Sequence, residues 1–307
     1  MILDTLQETI SLKIAGYDIY PVPTGEFGLD GGAMFGTVPK ILWEKTNPAD
    51  EQNRIKMEAR ALLLVSKNKK ILIDTGNGSD FIAKYGEKLG NSFSKMYNLT
   101  ESENSLTKSL QRLHLTTDDI TDVVLTHLHF DHAGGATSVV ENEIKPAFKN
   151  AKYYLQTTNL ETAKNPNKRE KASYLENNYK PLIENQCLIL LNKSKHENLP
   201  HISFQVSNGH TIGHQAVIIA DDHQQIIYCG DVIPTATHVR LAWIMGYDLN
   251  PLLLMEEKKI LLERSIQKKT YYFFEHDPYC DIAMVKPDKD DFKVDQKFWL
   301  KTEQSNA

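Results

Sequence analysis

The stretch His127-Leu128-His129-Phe130-Asp131-His132 puts four potential metal ligands within six residues, directly after the short apolar run Val123 to Leu125. With only 11 His in 307 residues, such a pattern arises by chance with odds on the order of one in a thousand, so it is a strong motif. The spacing has a chemical logic. Where a strand exits in extended form, positions i and i+2 point the same way, so His127 and His129 can share one ion. Asp131 and His132, past a sharp turn, can take a second ion beside it. A fold that honours this cluster must bring further donors to the same strand end.

The chain offers them at other strand ends. Tyr17 to Val22, Ala61 to Val65 and Ile71 to Ile73 read as strands, the last running into Asp74-Thr75-Gly76-Asn77-Gly78. Leu106, Leu110 and Leu113 share one helical face within Asn104 to Leu113. In the second half Ile202 to Val206 leads to Ser207-Asn208-Gly209-His210, and Ala216 to Ala220 with Ile226 to Tyr228 reads as a hairpin that ends at Cys229-Gly230-Asp231. A helix over Leu252 to Lys268 precedes the aromatic strand Thr270 to Phe274, which ends at Glu275-His276-Asp277. An isolated His or Gly-Asp is more often a packed residue or a turn. Their joint occurrence at strand ends is what points to a site. The expected class is α/β, a sandwich of two mixed sheets with helices outside. Residues 1–307 are read as one domain with a mobile helical insertion near 150–185, where Asn, Lys and Tyr are frequent.

Composition narrows the chemistry. The 35 Lys and Arg against 40 Asp and Glu give a net charge of -5, and with no long basic run a nucleic-acid partner is disfavoured. No window approaches the ~18 apolar residues of a membrane span. Met1 to Ser11 carries Asp4 and Glu8 without a basic leader, so a cytoplasmic protein is expected. Cys187, Cys229 and Cys280 are an odd, dispersed set that implies reduced thiols rather than a disulfide framework. Imidazole and carboxylate donors suit zinc, iron, manganese or cobalt, with zinc the default. The motif's lack of thiolates argues against a closed structural zinc site.

His127, His129, Asp131, His132, His210, Asp231 and His276 follow, in order, a pattern that resembles the ligand set of the metallo-β-lactamase superfamily, and Ile73-Asp74-Thr75-Gly76 looks like its first motif. The resemblance spans about residues 60 to 280. It implies an αββα sandwich and two divalent ions, one held by His127, His129 and His210, the other by Asp131, His132 and His276, with Asp231 bridging. Spacing alone leaves His210 and His214 as alternatives. The resemblance selects His210 and makes His214 a supporting residue, while Cys229 reads as a small buried apolar residue.

Leu29 to Lys45, Thr126 to Gly135 and Gly230 to Thr235 are similar to segments of the N-acyl-homoserine lactonase branch, the quorum-quenching enzymes. This implies opening of a homoserine lactone ring by a metal-bridging hydroxide, with Asp131 orienting the nucleophile and protonating the leaving group. A neutral acyl lactone suits an acidic protein, a homodimer is compatible with the reading, and Met34, Phe35 and Trp43 are expected in the acyl groove or, equally, in the core. Some relatives carry a tyrosine three residues after the bridging aspartate, where it meets the lactone carbonyl. Here that position is Pro234, and His238 is the candidate substitute, against the plainer reading of an exposed histidine at a helix start. Organophosphate or aryl-ester hydrolysis on the same fold is the nearest alternative, and a non-catalytic metal-binding module the more distant one.

Overall fold

The computed structural model describes residues 7–99 and 105–303; Asp4 of the opening stretch and Asn104 of the expected helix lie outside them. Two seven-stranded sheets form the centre. Across the first run Leu12–Ile14, Tyr17–Asp30, Arg54–Val65, Lys70–Ile73, Asp122–Val124, Lys152–Gln156 and Leu188–Leu191, antiparallel as far as Lys70–Ile73 and parallel beyond it. Across the second run Ile202–Ser207, His214–Ala220, Gln224–Tyr228, Lys269–Phe273, Ile282–Asp288, Asp291–Leu300 and Glu8–Ile10.

Strand alternation builds three layers of core from one sequence pattern. Successive side chains leave opposite faces of a strand, so Leu62 and Leu64 point between the sheets while Leu63 points outward. The inter-sheet core joins Leu64, Ile71, Ile73, Val124 and Tyr154 to Phe204, Val217, Ile226, Tyr228 and Phe273. Behind the first sheet, Leu72, Val123, Tyr153 and Leu155 meet Leu110, Leu160 and Leu182 from helices. Behind the second, Ile218, Ile227 and Tyr272 meet Leu254, Leu261 and Leu262 of the helix Pro251–Gln267. Strands covered on both faces need near-continuous apolar runs, which is why Ala61 to Leu64 and Ile71 to Ile73 contain no polar break. The layer order is αββα, as expected. No helix of the described residues is long and apolar enough to cross a membrane.

The segment 150–185 departs from the expected helical insertion. Lys152–Gln156 is a strand inside the first sheet, paired in parallel with Asp122–Val124 on one side and Leu188–Leu191 on the other. Its Tyr153, Tyr154 and Leu155 are fully buried. Aromatic and branched side chains suit a covered pleated surface, and the flanking Asn and Lys hide that five-residue signal. Helices follow at Thr157–Lys164 and Lys180–Glu184, packed on the outer face through Leu160, Ala163 and Leu182. The segment is therefore part of the sandwich.

Parallel strands leave their carboxyl ends on one edge, where ligands of open α/β sheets gather. Asp74, His127, Asp231 and His276 all follow such ends. Two glycines allow the close approach there: a Cβ on Gly134 would lie 2.2 Å from the carbonyl oxygen of Asn77, and one on Gly135 would lie 2.3 Å from that of Thr75. The loop after His132 thus packs directly on the loop after Asp74.

Candidate metal centre and active-site cavity

The seven residues expected as ligands converge, and their donor atoms fall into two groups. His127, His129, His210 and Asp231 form one, and Asp131, His132 and His276 the other. Asp231 stands between them. Its Oδ2 lies 3.8 Å from His127 Nε2 and 3.1 Å from His210 Nε2, while its Oδ1 lies 3.4 Å from His132 Nε2 and 3.2 Å from His276 Nε2. His129 turns Nδ1 inward, 3.2 Å from His210 Nε2, and His132 and His276 face each other through Nε2 at 3.2 Å. Asp131 places Oδ1 3.9 Å from His132 Nε2 and Oδ2 3.7 Å from His276 Nε2.

These spacings fit metal ions. Bonds of about 2.0–2.2 Å in a tetrahedral arrangement put neighbouring donors roughly 3.4 Å apart. His127 Nε2 and Asp231 Oδ1 are buried without a hydrogen-bond partner, which costs about 1–3 kcal/mol per group unless something else satisfies them. Protonation divides the cluster: against burial, which would lower them, nearby carboxylates raise His132, His210 and His276, whose protons a metal ion would displace. Burial, then the charge of the neighbouring histidines, drives His127 well below its ordinary value. Against burial, which would raise it, His132 and His210 hold the Asp231 carboxyl well below the carboxylate range. A neutral imidazole and an ionised carboxylate are the forms that bind metal.

Four of the five inward-facing rings are hydrogen bonded from behind, and His129 Nε2 only has Glu170 Oε2 3.8 Å away. His127 Nδ1 hydrogen bonds with Thr126 Oγ1 at 3.0 Å, His132 Nδ1 with Asp74 Oδ2 at 3.0 Å, His210 Nδ1 with Asp248 Oδ1 at 2.9 Å and His276 Nδ1 with the Glu58 carbonyl at 2.9 Å. Such outer partners fix ring orientation and tautomer. Asp74 does this from the left-handed region, at φ 57°, while accepting hydrogen bonds from Thr126 N and Oγ1. Glu275 adds a second buried carboxylate 2.8 Å from His132 Nδ1, and burial pushes its own carboxyl up to about 8.

His214 resolves the choice that spacing left open. Its Nε2 accepts the backbone N–H of Asp231 at 3.1 Å, so it shapes the Asp231 loop from outside the cluster. That contact requires Gly230, where a Cβ would lie 2.4 Å from His214 Nε2. Cys229 is buried in the apolar layer behind the second sheet, as expected.

A cavity of about 220 Å³ opens over the cluster. Leu29, Met34, Tyr97, Phe130, Met245 and Tyr247 make its apolar wall, and Arg169, Glu170 and Ser173 its polar one. Met34 is where the sequence suggested. Phe35 and Trp43 take the core alternative: both are buried and stack on each other at 5.2 Å in a supporting apolar cluster. His238 departs from expectation. It is fully buried, its Nδ1 hydrogen bonded with Thr235 and its Nε2 with the Met34 carbonyl, and its ring stacks on Phe35. With both nitrogens committed it cannot reach a substrate, and it props the loop that carries Met34.

Sequence reasoning missed most of the wall. Tyr97, Arg169, Glu170, Met245 and Tyr247 come from three separate segments, and no local spacing ties them together. Glu170 and Arg169 sit within the segment read as an insertion. Glu170 Oε2 accepts from Thr211 Oγ1 and lies 3.8 Å from His129 Nε2, while Arg169 reaches the Gly246 carbonyl across the cavity mouth.

Comparison with known proteins agrees with this geometry. The chain is 26% identical over 278 residues to an N-acyl homoserine lactonase of Bacillus cereus, covering 84% of this chain and 92% of the relative. A crystal structure of a probable metal-dependent hydrolase from Staphylococcus aureus superposes with a TM-score of 0.82 at 30% identity, covering 94% of this chain and 98% of that one. AidC, a dizinc quorum-quenching lactonase solved with N-hexanoyl-L-homoserine as product, shares the fold at a TM-score of 0.75 and 21% identity, covering 97% and 100%. The profile of the metallo-β-lactamase superfamily matches residues 58–276, which contain all seven converging residues, and the chain is a hydrolase of that superfamily.

Proposed function

We propose that this hydrolase opens the lactone ring of N-acyl-homoserine lactones, using two divalent ions, zinc by default, held by His127, His129 and His210 and by Asp131, His132 and His276 with Asp231 bridging. The observation that carries the reading is the division of the Asp231 oxygens between two histidine sets beneath a small, largely apolar cavity. Ions held there supply an activated water at neutral pH and polarise the carbonyl under attack. Relatives named as N-acyl homoserine lactonases along most of the chain support the substrate class.

The chain's own residues divide the remaining work. Asp131 lines the cavity and reaches toward the second histidine set, placed to orient the attacking water, take its proton and return it to the leaving alkoxide. Met34, Phe130 and Met245 offer an acyl chain an apolar seat. A phenol of the cavity wall takes the place of the donor absent at Pro234. Tyr97 and Tyr247 both line the cavity, and neither hydroxyl takes part in a hydrogen bond among the described residues. Burial, then nearby Asp131 for Tyr97 and Tyr97, Asp30 and Asp131 for Tyr247, raises both phenols, so they remain protonated and can donate.

The test is turnover by the purified, zinc-loaded protein of an acyl-homoserine lactone, a phosphotriester and an aryl ester. Ring opening should be the fastest of the three. No lactone turnover, with either ester hydrolysed, would transfer the assignment to ester hydrolysis.

A further inference from the structure

Arg60 is an arginine buried in the strand Arg54–Val65, 1% exposed, and most of its guanidinium contacts come from one short stretch of chain, residues 274–281. One terminal nitrogen donates to the carbonyl oxygens of Phe274, Asp277 and Cys280 at 3.1, 3.1 and 3.3 Å. Nε lies 2.9 Å from Asp281 Oδ1, and the other terminal nitrogen pairs with the Glu58 carboxylate. The three carbonyls bracket the turn that contains Glu275 and His276. The same strand grips His276 itself: the Glu58 carbonyl meets His276 Nδ1 at 2.9 Å, and Glu58 N donates to the His276 carbonyl at 3.3 Å.

A planar fork with five donors can tie several carbonyls of one turn at once, which a lysine cannot reproduce. A buried guanidinium demands compensation, and here it comes from the turn's backbone carbonyls together with the Glu58 and Asp281 carboxylates. The outer partners of His127, His129 and His210 include Thr126, Asp248 and the nearby Glu170, none of them a cation, and the buried Lys84 and Lys258 tie carbonyls at 134 and 137 and at 238, 240 and 243 instead.

We infer that Arg60 is a positioning residue for His276: by tying the carbonyls of residues 274, 277 and 280 it sets where His276 Nε2 stands, and so governs affinity at the Asp131–His132–His276 position separately from its neighbour. The inference rests on the two-ion reading above. It concerns a side chain that touches neither ligand donor atoms nor the cavity.

The full-length metal-free protein would be titrated with Zn2+ against a chromophoric chelator. Wild type should take up two equivalents. In Arg60→Met one equivalent should bind as in wild type and the other about 10- to 100-fold more weakly, and Arg60→Lys should fall between. Amide exchange in the metal-free protein supplies a readout independent of the ions: residues 274–281 should exchange faster in Arg60→Met, and 127–132 at the wild-type rate. Two equivalents of wild-type affinity, equal weakening of both, or unchanged exchange at 274–281 would each overturn the proposal. If Arg60→Met does not fold, Arg60→Lys is held to the same criteria. A wild type that binds a single equivalent would refute the two-ion reading instead, and the exchange comparison would still decide the role of Arg60.

Discussion

The floor and the wall of the cavity are built on different principles. The inward rings of the floor lie on loops and one short helix that follow strand ends, and four of the five are held from behind, His127 by Thr126, His132 by Asp74, His210 by Asp248 and His276 by the Glu58 carbonyl. The wall is assembled from loops and short helices, with Met34, Tyr97, Arg169 and Tyr247 arriving from distant parts of the chain. A floor braced at strand ends suits chemistry that tolerates little displacement, while a wall on loops can vary with the substrate. Damage to the floor should therefore remove activity altogether, and damage to the wall should change its rate or selectivity.

The largest effect is expected at the residue that joins the two halves of the floor. Asp231→Ala, or removal of metal by a chelator, should lower lactone hydrolysis by about three orders of magnitude or more, since metal polarisation contributes several kcal/mol and each 1.36 kcal/mol is tenfold. Zinc should restore the chelated wild type and not the variant. Steady-state rates before and after re-addition check this, and a chelated enzyme at full rate would break the floor's claim to the chemistry. Asp131→Asn comes next. It keeps the side chain's size while removing the proton acceptor, so kcat should fall about 10²- to 10⁴-fold; a variant that keeps the wild-type kcat would take Asp131 out of the reaction.

The same contrast explains what could be read from sequence. The floor was legible because a strand exit imposes a two-residue period, so His127 and His129 announce a shared direction, and because His210, Asp231 and His276 each follow a strand of apolar or aromatic residues. The layers were legible where alternation is clean, as in Leu62 to Leu64. The wall was not. Position near Met34 leaves Phe35 and Trp43 equally open to groove and core, and packing on each other puts them in the core. His238 reads from sequence as a substitute for a missing donor, yet Thr235 and the Met34 carbonyl occupy it. Lys152–Gln156 read as part of a helical insertion because its pairing partners are thirty or more residues away along the chain. Contacts made across the fold leave no local period to detect.

Tyr247→Phe sharpens the comparison from the wall's side. Losing a phenol hydrogen bond to charge developing on the carbonyl should reduce kcat/KM roughly 10- to 100-fold, in line with about 1.5–3 kcal/mol for a hydrogen bond to a charged group. Zinc stoichiometry should be unchanged. Tyr97→Phe, measured beside it, identifies which of the two phenols meets the carbonyl: the larger loss marks the donor, and no loss in either would leave the wall purely apolar.

The smallest effect belongs to the support behind the wall. Burial, the largest influence, brings His238 down to about 3, with its neutral ring donating from Nε2 to the Met34 carbonyl and accepting from Thr235. An unfolded histidine titrates near 6.5, so between about 6.5 and 3 the unfolded chain binds a proton that the folded one refuses. Folding stability attributable to this group is therefore full above pH 6.5 and falls as the pH drops, by about 2 kcal/mol between pH 7 and pH 5 at 1.36 kcal/mol per unit. His238→Gln, which keeps a donor and an acceptor but no titration in this range, should be less stable than wild type at pH 7 and lose about 2 kcal/mol less on going to pH 5. Urea unfolding of the metal-free proteins at the two pH values measures the difference. Equal losses in both would mean that the ring is protonated in the folded protein, and that the Met34 loop is held by its apolar contacts alone.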